Sequence, residues 1–247
     1  MARPKSISLV KDRIDPGPAP FIPPRPDIPI TEREYFGWGY KTGWLAVKTN
    51  DMNAVALALG LREPGWAPWK EAIELAYSYD ADFRSWHWMV TPPIQGWVLV
   101  MSLALIDRHF DRQDVREEFH ASLSQLSEKF GEVQFFGTYR VSGIDAWGRW
   151  MNGHCLRLVS FDAHRGLEQH GNAQSSTEAE LLIPEIHTCN GEEYEFVYLG
   201  EDKVVAMAAE WSLDPTQLDA HSAETKKVSL VLTGWLPLDA KISVTHN

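Results

Sequence analysis

Few side chains in this sequence have the types and spacing that chemistry requires. Nine histidines invite a metal reading. His154, His164 and His170 lack the short helical or C-x-x-C spacings that preorganise a zinc site. His187 and Cys189 could put two donors on one face of a strand, but no further ligand lies close to them in sequence. Cys155 follows His154 directly. Neighbours on a strand point to opposite faces, so this pair cannot work as nucleophile and base. There is no G-x-S-x-G elbow. Gly37-Trp38-Gly39 precedes a predicted strand, whereas a dinucleotide-binding loop must follow one. Carboxylate pairs occur at Glu117-Glu118, Glu192-Glu193, Asp80 with Asp82, and Glu201-Asp202. The last suits the negative first turn of a helix. Acid–base work would need one of these groups buried and shifted in pKa. These residues supply no catalytic or metal-binding set and call for no cofactor. An enzyme reading, hydrolase-like, falls back on His87, His154 and Asp145, chosen because they neighbour tryptophans on predicted strands.

The tryptophans carry more information. There are eleven in 247 residues. Trp86 and Trp88 are two apart on a predicted strand and share a face. Trp147 and Trp150 fall on opposite faces by parity. An indole buries a large apolar area, so the core is its ordinary place. Eleven are hard to bury completely, and tryptophan is enriched at binding hot spots. The expectation drawn here is an exposed aromatic and acidic docking face made by Trp86, Trp88, Asp145, Trp147 and Trp150.

Composition narrows the partner. The formal net charge is −11, from 34 acidic and 23 basic residues. That disfavours nucleic acid and anionic membrane surfaces and suits a basic protein partner. The longest apolar run, Trp97–Ile106, is too short to span a bilayer. The first residues show no secretory h-region, and two cysteines form no disulfide framework. A cytoplasmic location is the expectation.

The elements that must position these residues follow from periodicity. Seven prolines between Pro16 and Pro29 predict an extended N-terminal arm over residues 1–34. A single domain over 35–247 follows, with its main core at about 43–166 and a C-terminal extension at about 167–247. Strands are predicted at Gly43–Thr49, Trp86–Thr91, Trp97–Leu103, Glu132–Val141, Ile144–Met151 and His154–Phe161. Asn152-Gly153 marks a tight hairpin. Helices are predicted after Asn50-Asp51 up to Gly60, at about Trp69–Tyr79, at Asp111–Phe130 and at Asp202–Trp211. Leu167–Thr177 reads as loop, Glu192–Leu199 as a short strand, Val228–Trp235 as a strand and Ile242–Val244 as a last edge pairing. The order predicts an α+β fold: a mostly antiparallel sheet with a split βαβ-like core and helices packed on one face.

Four segments carry a family resemblance. Gly43–Thr49 with Leu57–Leu61, Val90–Val100 (VTPPIQGWVLV), Phe130–Val141 (FGEVQFFGTYRV) and Glu210–Thr216 (EWSLDPT) resemble a bacterial family of uncharacterised proteins. The likeness covers about 43–216. Members of such families often occur beside polymorphic or contact-delivered toxins. The resemblance implies an immunity protein that binds and neutralises a cognate protein toxin, basic and encoded next door, by occluding its active site. It transfers no catalytic residue. The alternatives are the hydrolase-like enzyme above and a domain binding a small apolar ligand.

Overall fold

A computed structural model describes residues 21–26, 37–78, 85–189, 192–218 and 230–237. Chain order runs β1 (Thr42–Val47), α1 (Met52–Leu59), β2 (Arg62–Pro68), α2 (Trp69–Ala76), β3 (Ser85–Val90) and β4 (Val98–Ser102). It continues through α3 (Ala104–Phe110), α4 (Gln113–Phe130), β5 (Glu132–Tyr139), β6 (Ile144–Met151), β7 (His154–Asp162) and β8 (Gly166–His170). The last part holds α5 (Ser176–Leu181), β9 (Glu185–Cys189), β10 (Glu192–Phe196), α6 (Gly200–Trp211), a 3-10 turn (Pro215–Gln217) and β11 (Leu230–Pro237).

The fold is α+β. Nine strands form one sheet in the order β2-β11-β3-β4-β1-β5-β6-β7-β8, every neighbouring pair antiparallel. Four of them make the predicted core. β3 runs parallel to β1 with β4 between them, and β5 runs parallel to β4 with β1 between them. These are two interlocked split βαβ units. β6, β7 and β8 extend the sheet beyond β5 as a meander.

Local chemistry explains the ends of these elements. The Ala54 N–H donates to Asp51 Oδ1 at 2.9 Å, and Gly60 closes α1 with φ 73°. Asn152 and Gly153 both have positive φ, as the two-residue turn between β6 and β7 demands. Gln95 and Gly96 solve the same problem between β3 and β4.

Strand parity puts two apolar faces on the sheet, and both are covered. On one, Leu45, Val47, Trp88, Val100, Val133, Phe135 and Trp150 pack with α1, α3 and α4 through Val55, Leu59, Leu105, Phe119, Leu123 and Leu126. On the other, Trp44, Ala46, Met101, Phe136, Trp147 and Val231 pack with α2 and α6 through Trp69, Ile73, Val204, Met207 and Ala208. Helices therefore flank the sheet on two sides. The expectation of one helical face holds for the crossover helices α1 and α4. It fails for α2 and α6, because the alternate residues of the core strands are apolar on both faces and each face must be covered.

Three further departures are local. Pro64-Gly65 and Pro68 read as breakers, yet Arg62–Pro68 is the edge strand β2, where a missing N–H on the outer side is tolerated. The loop expected at Leu167–Thr177 begins as β8 and ends in the start of α5. Helix α3 follows directly on the strand expected to end at Leu103, where no helix is expected before Asp111. The pairing expected at Ile242–Val244 lies outside the described residues. Of the proline-rich arm, residues 21–26 are described: Ile22 packs on the α1/α4 face, and the Trp66 indole N–H donates to the Pro23 carbonyl at 2.9 Å.

Candidate functional site

The expected aromatic docking face is not at the surface. Trp88, Asp145, Trp147 and Trp150 are each 0–1% exposed, and Trp86 is half-buried. Trp88 and Trp150 lie under the α1/α4 layer, while Trp147 lies under α6 on the opposite side. Trp150 is locked in place: a Cβ on Gly148 would come within 2.5 Å of its ring. Trp86 borders a cleft of about 250 Å³ with Asp107, Asp111 and Val115. None of the eleven tryptophans is exposed. Seven are buried and four, Trp66, Trp86, Trp211 and Trp235, are half-buried, and a sheet covered on both faces has room for more indoles than a one-faced sheet.

Trp147 and Asp145 instead hold the C-terminal extension onto the core. The Trp147 indole N–H donates to Glu178 Oε1 at 2.7 Å. Glu178 is fully buried and pairs with Arg157 Nε at 2.7 Å. Arg157 also donates from Nη1 to the Gly171 carbonyl (2.7 Å) and from Nη2 to Gln169 Oε1 (2.8 Å). The Gln174 N–H donates to Glu178 Oε2 at 2.6 Å. Every polar atom of this buried pair thus has a use, as burial requires. Asp145 accepts from Thr138 Oγ1 at 2.7 Å and from the Gly200 N–H, the first residue of α6, at 3.0 Å. Burial pushes its carboxyl above the usual range, while those two hydrogen bonds hold it down. It serves as a long-range cap for α6.

The hydrolase-like set is dispersed. His87 is on β3 and His154 on β7, five strand spacings away in the sheet, or roughly 24 Å. Asp145 pairs with Phe161 near one end of β6, while His154 pairs with Met151 at the other. Cys155 is half-buried, with its thiol pushed up by burial. The side chains of His187 and Cys189 lie outside the described residues. Among the described residues, no three of His, Cys, Asp and Glu come together as metal ligands. No helix among them is long and apolar enough to cross a membrane.

The surface that is exposed was not singled out from the sequence. From Gly171 to Asp202 the chain carries eight carboxylates and no lysine or arginine, so this stretch alone contributes −8 of the −11. Glu178 is taken by Arg157, Glu185 by Lys203 at 3.0 Å and Glu201 by Arg140 at 3.2 Å. Glu180, Glu192, Glu193 and Glu195 are exposed. Among these acids stand Ile183, Ile186, Phe196 and Tyr198, exposed by 60%, 70%, 42% and 43%.

The β9–β10 hairpin organises this surface. Ile186 lies opposite Glu195 and Thr188 opposite Glu193, so these four share one solvent-facing side. Phe196 sits opposite Glu185 on the other side. Lys203, on α6, ties the hairpin to the domain by donating to Glu185 and to the Tyr198 carbonyl at 2.7 Å. Two signals could have revealed it: the unbroken acidic run, and Asn190-Gly191, the same dipeptide that marks the β6–β7 turn.

No family model matches the chain, and neither the curated proteins nor the solved structures gave a match to it.

Proposed function

We propose that this chain is a binding protein of the immunity type, which neutralises a basic protein toxin by covering its active site. The observation that supports this reading is the segment Gly171–Asp202, where eight carboxylates without a lysine or arginine surround four exposed apolar side chains. Apolar anchors inside a charged rim are the usual anatomy of a protein interface. The negative field speeds encounter with a positive partner and repels acidic ones. The docking face moves accordingly, from the tryptophans of β3 and β6 to the hairpin and its flanks.

The test is co-expression. The chain is produced together with a basic toxin encoded beside it, and growth is scored. Rescue is expected, and the double substitution E193K/E195K should abolish or sharply reduce it while leaving the far-UV circular dichroism unchanged. If no neighbouring toxin is neutralised, or if the double variant rescues as well as the parent, the reading is wrong.

A further inference from the structure

The hairpin offers more than charged side chains. Among the described residues, neither β9 nor β10 pairs with any other strand, so each presents an outer row of backbone N–H and C=O groups. An isolated two-stranded hairpin is marginally stable in water, and an open edge is a template for another strand. We infer that the β9–β10 hairpin captures an extended, basic segment of its partner by strand addition, making a three-stranded sheet. This rests on the reading of the chain as a binder of a basic protein and adds how the partner is held.

Charge selects the occupant. A second copy of this hairpin would set glutamates against glutamates across the new pairing, and like charges directly opposite one another are destabilising. A strand alternating lysine or arginine with apolar residues fits instead. Added at the β10 edge, it sets its basic side chains beside Glu193 and Glu195, and its apolar side chains then fall on the opposite side, the one that Phe196 shares. Main-chain hydrogen bonds then supply affinity, and the alternating side chains supply selectivity. The acidic edge thus repels copies of this chain and accepts a basic strand, so the edge can stay open without driving self-association.

The experiment uses the full chain and a blocked peptide of alternating lysine and valine. Two further peptides carry backbone N-methyl groups on the odd or on the even residues. Binding is read by fluorescence anisotropy and by amide hydrogen exchange. The parent peptide should slow exchange within Glu185–Phe196. In an antiparallel pair, alternate N–H groups point at the neighbouring strand. One N-methylated peptide should therefore bind like the parent and the other at least about tenfold more weakly, as should the parent peptide to E193K/E195K. An alternating glutamate–valine peptide should not bind.

Equal affinities for the two N-methylated peptides, or no protection of the hairpin amides, would overturn strand capture. Toxin rescue in the co-expression assay would still stand in that event. The converse result, strand capture without rescue, would remove the toxin assignment alone.

Discussion

At the scale of single residues, the buried Arg157–Glu178 pair shows how burial decides a role. Taking both charges out of water costs several kcal/mol per ion, and only the full set of hydrogen bonds around them makes the pair tolerable. Removing one partner should therefore cost far more than removing both. R157M leaves the Glu178 carboxyl buried beside Trp147 without its cationic partner, and should destabilise the chain by about 3–5 kcal/mol. The double variant R157M/E178L should recover much of that loss. Urea unfolding of the two single variants and the double variant gives the coupling directly; additive losses would show that the pair is not coupled. None of this was legible in the sequence. Arg157 sits in a strand whose residues alternate unremarkably, and Glu178 lies 21 positions away, with no local rule linking them. Asp145 was expected on a docking face; it is buried, and its carboxylate accepts from Thr138 and from the first amide of α6.

At the scale of elements, α3 and α4 meet through two histidines. His109 Nδ1 and His120 Nε2 are 3.1 Å apart, and Phe110, Phe119, Phe135 and Trp150 lie against the pair. Burial lowers the pKa of both: His109 falls well below the ordinary value and His120 to about 4. His120, Arg116 and Arg165 lower His109 further, while Arg116 lowers His120 and Glu168 and Glu117 pull it back up. The folded chain thus keeps neutral two groups that the unfolded chain protonates below about pH 6.5. The unfolded state binds more protons, so stability is full above that pH and declines as the pH falls from 6.5 towards 4. Each histidine contributes a slope of up to about 1.4 kcal/mol per pH unit. Asp107 and Asp145, whose carboxyls burial pushes up, contribute the opposite slope. The readout is therefore a difference: between pH 6.5 and 4, unfolding free energies of H120Q should fall less steeply than those of the parent. Parallel curves would mean that His120 keeps its ordinary pKa in the fold. Elements with strong local signals were legible here. α1 has Asp51 and Gly60 at its ends, and the β6–β7 hairpin has Asn152-Gly153 at its turn. β2 and β8 were not, because pairing with β11 and β7 overrides the local preference of proline- and glycine-bearing segments.

At the scale of the whole molecule, stability and charge are distributed unevenly. The fold class could be read from the sequence because the alternation of β1, β4 and β5 and the helical spacing of α4 are consistent with one another. The acidic surface is legible only in the run of carboxylates from Glu178 to Asp202, which no acidic pair taken singly reveals. The nine-stranded sheet has both faces covered, and β1 at its centre is fully buried along its length. The β9–β10 hairpin is separate from that sheet and carries exposed side chains on the face that bears Ile186 and Glu195. Opening of the hairpin therefore exposes little new apolar area, whereas opening β1 requires disruption of both cores. Native-state amide exchange should show this as two classes. The amides of Glu185–Phe196 should exchange through a low-energy local opening that is insensitive to mild denaturant. Those of β1 and β5 should exchange only through global unfolding, with a slope matching the equilibrium denaturant dependence. A basic strand bound at the hairpin should move its amides towards the second class without altering the first measurement on β1. If the hairpin amides already exchange with the global unfolding energy in the free chain, the hairpin is an integral part of the core, and its open edges are held shut by the domain itself.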